Sequence, residues 1–83
     1  MTREDILLKL EEIFREVFDD ETIDLTEEIT PDDIEDWDSI GNVYLTVEIE
    51  EELHISLGDD MNKISNVKDI IDLIINRLEA ING

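Results

Sequence analysis

One proline punctuates 83 residues, and its position separates the stretches that can be helical from the one that cannot. Before it, Ile6, Leu7, Leu10, Ile13, Phe14, Val17 and Phe18 recur at steps of three and four, the spacing that lines one face of a helix. Thr2 stands where an N-cap belongs, with Asp5 three positions on to complete a capping box, so a first helix is expected over about residues 3–18. After it, the periodicity returns at Asp38 and runs to His54, a second helix about 24 Å long at about 1.5 Å per residue, with Asp38 as its cap. Ser56, Gly58, Asp59 and Asp60 then interrupt the pattern, and residues 59–64 are expected to form one short helical turn. Asn66 caps a last helix, paired with Asp69, whose buried stripe is Val67, Ile70, Ile71, Ile74 and Leu78. Lys68 at its start opposes the helix dipole, whereas Arg77 near its end suits it.

Residues 19–38, rich in acids and threonine and holding Pro31, read as a loop. A loop of about twenty residues is long for so small a domain, unless it is itself packed. Ile23, Leu25, Ile29 and Ile34 are spread along it, and burying them would pin it across the helices. The expected fold class is all-α: a small antiparallel helix bundle of three long helices plus one short, with a long structured loop between the first and second. Although 37% of the residues are charged, 27 are Ile, Leu or Val, enough for one compact aliphatic core. We expect a single domain over residues 1–83, too small for a second core or a deep enzyme cleft.

Charge constrains the partners. Twenty-five acids face six Lys and Arg, for a formal charge of −19, and no Lys or Arg occurs between Arg15 and Lys63, a stretch that holds 18 of the acids. Such a surface repels phosphate backbones and anionic headgroups, so no nucleic acid and no membrane is expected as a partner. Basic proteins or cations are, unless the acids serve solubility alone. Cysteine is absent, which excludes disulfides, thiolate metal sites and cysteine nucleophiles together. No apolar run reaches the roughly 20 residues of a membrane span, and Thr2-Arg3-Glu4-Asp5 is unlike a signal peptide, so the expected location is cytoplasmic.

The second helix carries two apolar stripes. At about 100° per residue, Leu45, Ile49 and Leu53 fall near 140°, 180° and 220° from Ile40, whereas Val43, Tyr44 and Val47 fall near 300°, 40° and 340°. Glu51 lies inside the Ile40 face, with Glu48 and Glu50 on its flanks, so the Leu45 face is the core candidate. The Ile40, Val43, Val47 face, rimmed by carboxylates, then has the apolar centre and charged rim of a recognition surface. The alternative is a helix buried more deeply by the loop.

Most chemistry fails on spacing. The sole histidine, His54, follows Ser39 by 15 residues on one helix, about 22 Å away, and cannot activate it. It suits an exposed helix end instead. One histidine without cysteine makes a poor zinc site. Asp36, Asp38 and Gly41 match positions 1, 3 and 6 of an EF-hand loop, but Ile40 and Val47 stand where oxygen ligands are needed, which leaves only weak, diffuse divalent binding. No metal site and no catalytic residue is assigned. Ser39 remains, in the first turn of a helix, where an attached phosphate would meet free N–H groups; on that argument alone an ordinary capping serine is the stronger reading.

Asp38-Ser39-Ile40 resembles the Asp-Ser-Leu motif of the acyl and peptidyl carrier proteins. Trp37-Asp38-Ser39-Ile40, followed by Val43, Leu45, Val47 and Glu50-Glu51-Glu52-Leu53, is similar to their second helix, and Lys63-Ile64-Ser65-Asn66-Val67 to the approach to their last. The resemblance spans nearly the whole chain in length and helix order. It implies an acyl-carrier-like fold and a carrier that is not an enzyme. A phosphopantetheinyl transferase would attach 4′-phosphopantetheine from coenzyme A to Ser39, with Asp38 as the motif's cap, and the arm's thiol would hold an acyl or aminoacyl group as a thioester. Ile40, Val43, Tyr44, Val47, Glu48, Glu50 and Glu51 would meet acyl-activating or acyl-transferring enzymes through their basic docking patches, with the chain a free-standing monomer. Gly41 and Tyr44 stand where housekeeping fatty-acid carriers usually have acids, and Trp37 where they have a small residue. These departures favour a specialised lipid, polyketide or peptide pathway. An acidic interaction domain without a cofactor is the rival reading.

Overall fold

The computed structural model describes residues 1–82, so Gly83, the last residue of the expected domain, lies outside the described residues. Three helices form, α1 (Arg3–Val17), α2 (Ser39–Leu53) and α3 (Val67–Asn82), joined by a 310 turn at Pro31–Asp33 and a 310 helix at Gly58–Lys63. No strand occurs among the described residues. The architecture is the expected one, and the short element starts one residue earlier than its spacing indicated.

Each helix begins as its sequence dictates. The Asp5 N–H donates to Thr2 Oγ1 at 3.1 Å while the Thr2 N–H donates to the Asp5 carboxylate at 3.2 Å, closing the capping box. At α3, the Asp69 N–H donates to Asn66 Oδ1 at 2.9 Å, but the Asp69 carboxylate reaches one residue further back, to the Ser65 N–H at 2.8 Å. The first two N–H groups of α3 are also satisfied: Val67 and Lys68 donate to the Ile29 and Glu27 carbonyls, both at 2.9 Å. These bonds pin the long loop to α3.

The core is aliphatic, with Phe14 and Trp37 at one end. Ile6, Leu10, Ile13 and Phe14 of α1 close on Leu45 and Ile49 of α2 and on Val67, Ile70, Ile71 and Ile74 of α3. α1 and α2 run antiparallel: Phe18, after α1, packs beside Gly41 near the start of α2, and Lys9 reaches Glu52 near its end. From the loop, Leu25 is buried and Ile23, Ile29 and Ile34 pack against the core, so the loop is held as their spacing requires. Polar ties complete its course. Leu25 N–H donates to Glu11 Oε2 at 2.9 Å, Arg15 Nε donates to the Ile23 carbonyl at 2.8 Å, and Arg3 bridges Glu27 and Asp72.

Candidate functional site

Asp38 caps α2 by accepting the Gly41 N–H on Oδ1 at 2.8 Å. This leaves Ser39, the first helical residue, exposed, with the remaining first-turn N–H groups at the positive end of the helix dipole. His54 ends α2 in the left-handed conformation, φ 55°, exposed and at the opposite end from Ser39.

The two stripes of α2 separate as expected. Leu45 and Ile49 are fully buried, whereas Ile40 (65%), Val43 (57%), Tyr44 (62%) and Val47 (46%) stay exposed. These four apolar side chains line the surface of α2 that begins beside Ser39. Glu51 is exposed among them and Glu48 is half-buried at the flank. The Glu48 carboxyl is pushed above the ordinary range, first by partial loss of solvent and then by the negative charges of Glu16, Glu51 and Glu52. Glu16, Glu48 and Glu52 each bring a carboxylate oxygen within 4.8 Å of the others, near enough to share a cation, and Lys9 Nζ lies 3.6 Å from Glu52.

Three positions differ from the reading of the sequence. Glu50, placed on the rim of the recognition face, instead turns its carboxylate to the loop after α2, accepting the Leu57 N–H at 2.7 Å and the Gly58 N–H at 3.3 Å. It ties α2 to the 310 helix, whose first residue needs the positive φ of a glycine, 58° at Gly58. Gly41, where the resemblance sets a surface acid, is buried: a Cβ there would overlap the Asp36 carbonyl oxygen and press on Phe18 Cε1 at 3.0 Å. Its smallness lets the loop cross the first turn of α2. Trp37, read as a departure bearing on partner choice, is 3% exposed and meets Phe14 edge-on, ring centroids 5.0 Å apart.

Asn42 was missed. Its Oδ1 accepts the Trp37 indole N–H at 3.0 Å, and its Nδ2 donates to the Met61 carbonyl at 2.9 Å. The available signal was a carboxamide in mid-helix, five residues after the only tryptophan. Ser39 opens onto a cleft of about 440 Å³ lined by Pro31, Trp37, Asn42, Met61 and Ile64.

The fold and site define a small helical platform that offers one exposed serine at a helix start beside an apolar, acid-rimmed face. No family model matches the chain. It is similar to the holo acyl carrier protein of Geobacter metallireducens, with a TM-score of 0.82 and 39% identity, over 89% of this chain and 86% of that one. It is also 45% identical over 42 residues to an acyl carrier protein of Cyanidium caldarium, a match spanning 49% of each, about half the length of that curated relative. The chain belongs to the acyl carrier protein family, whose members carry and do not catalyse.

Proposed function

We propose that the chain holds acyl or aminoacyl groups as thioesters on a 4′-phosphopantetheine arm attached to Ser39 and presents them to successive enzymes. The placement of Ser39 carries this reading: an exposed hydroxyl at the first position of α2, directly after its capping residue, beside an exposed apolar stripe. Ser39 Oγ attacks the pantetheine-bearing phosphorus of coenzyme A, the pyrophosphate P–O bond breaks and 3′,5′-ADP leaves, while the phosphopantetheinyl transferase supplies the base that takes the hydroxyl proton, because His54 is about 22 Å away along α2. A phosphodiester at Ser39 lies against the first-turn N–H groups and the positive end of the dipole. Pro31 and Ile64, half-buried at the edge of the cleft, offer apolar contact to the near part of the arm. The arm supplies the thiol that a chain without cysteine lacks.

Ile40, Val43, Tyr44 and Val47, with Glu48 and Glu51, form the docking face for the transferase and for acyl-activating or acyl-transferring enzymes with basic patches. Charge complementarity speeds encounter, and the modest apolar area permits release. Tyr44 is the departure that remains on this surface, since Gly41 and Trp37 point inward. It favours enzymes of a specialised lipid, polyketide or peptide pathway. The chain acts as a cytoplasmic monomer of one domain; among the described residues no helix is long and apolar enough to cross a membrane.

Incubation with coenzyme A and an active phosphopantetheinyl transferase tests the proposal. The expected result is a mass gain of one arm, whose thiol then accepts an acyl group. An unchanged mass would favour the acidic interaction domain instead.

A further inference from the structure

The long loop is packed on one side only. Ile23, Ile29 and Ile34 rest against the core yet stay half-buried, and they line a cleft of about 310 Å³ that reaches Phe18 and Asp36. Phe18 and Asp36 also line a second cleft, of about 300 Å³, which runs on to Ile40 and Tyr44 on the exposed face of α2. The two make one apolar trough from the loop to α2. Its rim is carboxylate: Asp19, Glu35 and Asp36 are exposed along it, and among the described residues their side chains take part in no hydrogen bond or ion pair. The one cation at its edge among those residues is Arg15, already held by Glu11, Asp24 and the Ile23 carbonyl.

An open apolar floor with a rim of unpaired negative charge fits a partner that brings apolar side chains and cations together. Nucleic acid and anionic headgroups have the wrong sign. A single metal ion fits no better: among the described residues, the three carboxylates near enough to share one are Glu16, Glu48 and Glu52, none of which lines the trough. Carboxylates spread along a floor need cations spread along one chain, each on a stem that can lie over isoleucine. Arginine supplies both, since its methylenes cover apolar surface while its guanidinium pairs with carboxylates and stacks on a ring such as Tyr44. We propose that the loop trough receives a segment of a partner enzyme in which arginine alternates with aliphatic residues. This extends the docking face of α2, and to that extent it rests on the docking role given to that helix. An enzyme with basic charge but no apolar residues to match would meet α2 and leave the trough in water, so the loop sorts partners that charge alone does not separate.

Two peptides of equal charge, Arg-Leu-Arg-Leu-Arg-Leu and Arg-Ser-Arg-Ser-Arg-Ser, both capped at their ends, test this on the full chain without an arm; failure to acquire the arm contradicts the proposed function, not this proposal. Affinities are measured by calorimetry, and binding is mapped on isoleucine and valine methyl resonances. The Arg-Leu peptide should bind at least about fivefold more tightly, because only it buries apolar area, and the methyl signals of Ile23, Ile29 and Ile34 should move with it. Ile34→Ala should lose most of that preference, and Glu35→Lys, a change at an exposed and unpaired side chain, should weaken both peptides. Should Ile34→Ala not fold, the methyl map of the native chain and Glu35→Lys decide. Equal affinity for the two peptides, methyl shifts confined to Val43 and Val47 on α2, or a folded variant that binds both as the native chain does would overturn the proposal.

Discussion

Gly41 shows how one residue can be placed correctly on a helix and still be misread. Its position in the first turn of α2 suggests a surface site, but the loop backbone occupies the space that a side chain would need. Helix propensity alone would make Gly41→Ala stabilising by about 1 kcal/mol. Overlap with the Asp36 carbonyl should reverse the sign, and we expect a net loss of about 1–3 kcal/mol in urea unfolding. A gain would show that the loop does not press on α2. Trp37 and Glu50 were hidden for the same reason: their partners, Phe14 and the Leu57 N–H, lie on other segments, and no local spacing announces them. Thr2 with Asp5 and Asn66 with Asp69 were legible because each cap is satisfied within four residues.

At the scale of the element, α2 divides its work between faces, and the division was readable because its carboxylates mark one stripe as wet. Ile49→Ala should cost about 2–5 kcal/mol, since its side chain is fully buried. Val47→Ala should cost under about 1 kcal/mol while slowing arm transfer, as should charge reversal at Glu51. Unfolding curves and transfer kinetics on one set of variants decide this. Were Val47 the costly position and Ile49 the silent one, the docking face would have to lie elsewhere.

The α1–α2 seam adds a pH dependence. Glu48 binds its proton more tightly folded than unfolded, so between the ordinary value of 4.5 and the raised folded value the native state holds more protons, and stability is lost as pH rises through that window. Glu48→Gln should flatten this decline. Asp72 shows the opposite sign: hydrogen bonding to Arg3, then to Lys68, holds its carboxyl below the ordinary 3.8, so its contribution is present above that value and is lost as pH falls through the lower, folded one. Asp72→Asn should therefore flatten the acid limb alone. Urea midpoints across pH for the three proteins check both signs; a native curve that keeps rising above 4.5 while Glu48→Gln has no effect would contradict the seam's role.

Across the whole molecule, a net charge of −19 opposes compaction. Because charges are screened beyond about 10 Å at 0.1 M salt, the thermal midpoint should rise with ionic strength or millimolar magnesium. A flat or falling midpoint would mean that the carboxylates are already offset in the fold. The central claim, that this acidic platform exists to bear an arm on Ser39, has a more direct test in the intact masses of the native chain and Ser39→Ala after identical exposure to coenzyme A and a phosphopantetheinyl transferase. Ser39 is exposed and Asp38 caps the helix, so the variant should unfold within about 0.5 kcal/mol of the native chain. The native chain should gain the mass of one 4′-phosphopantetheine and the variant none; an arm on the folded Ala variant, or on neither protein, would contradict the account.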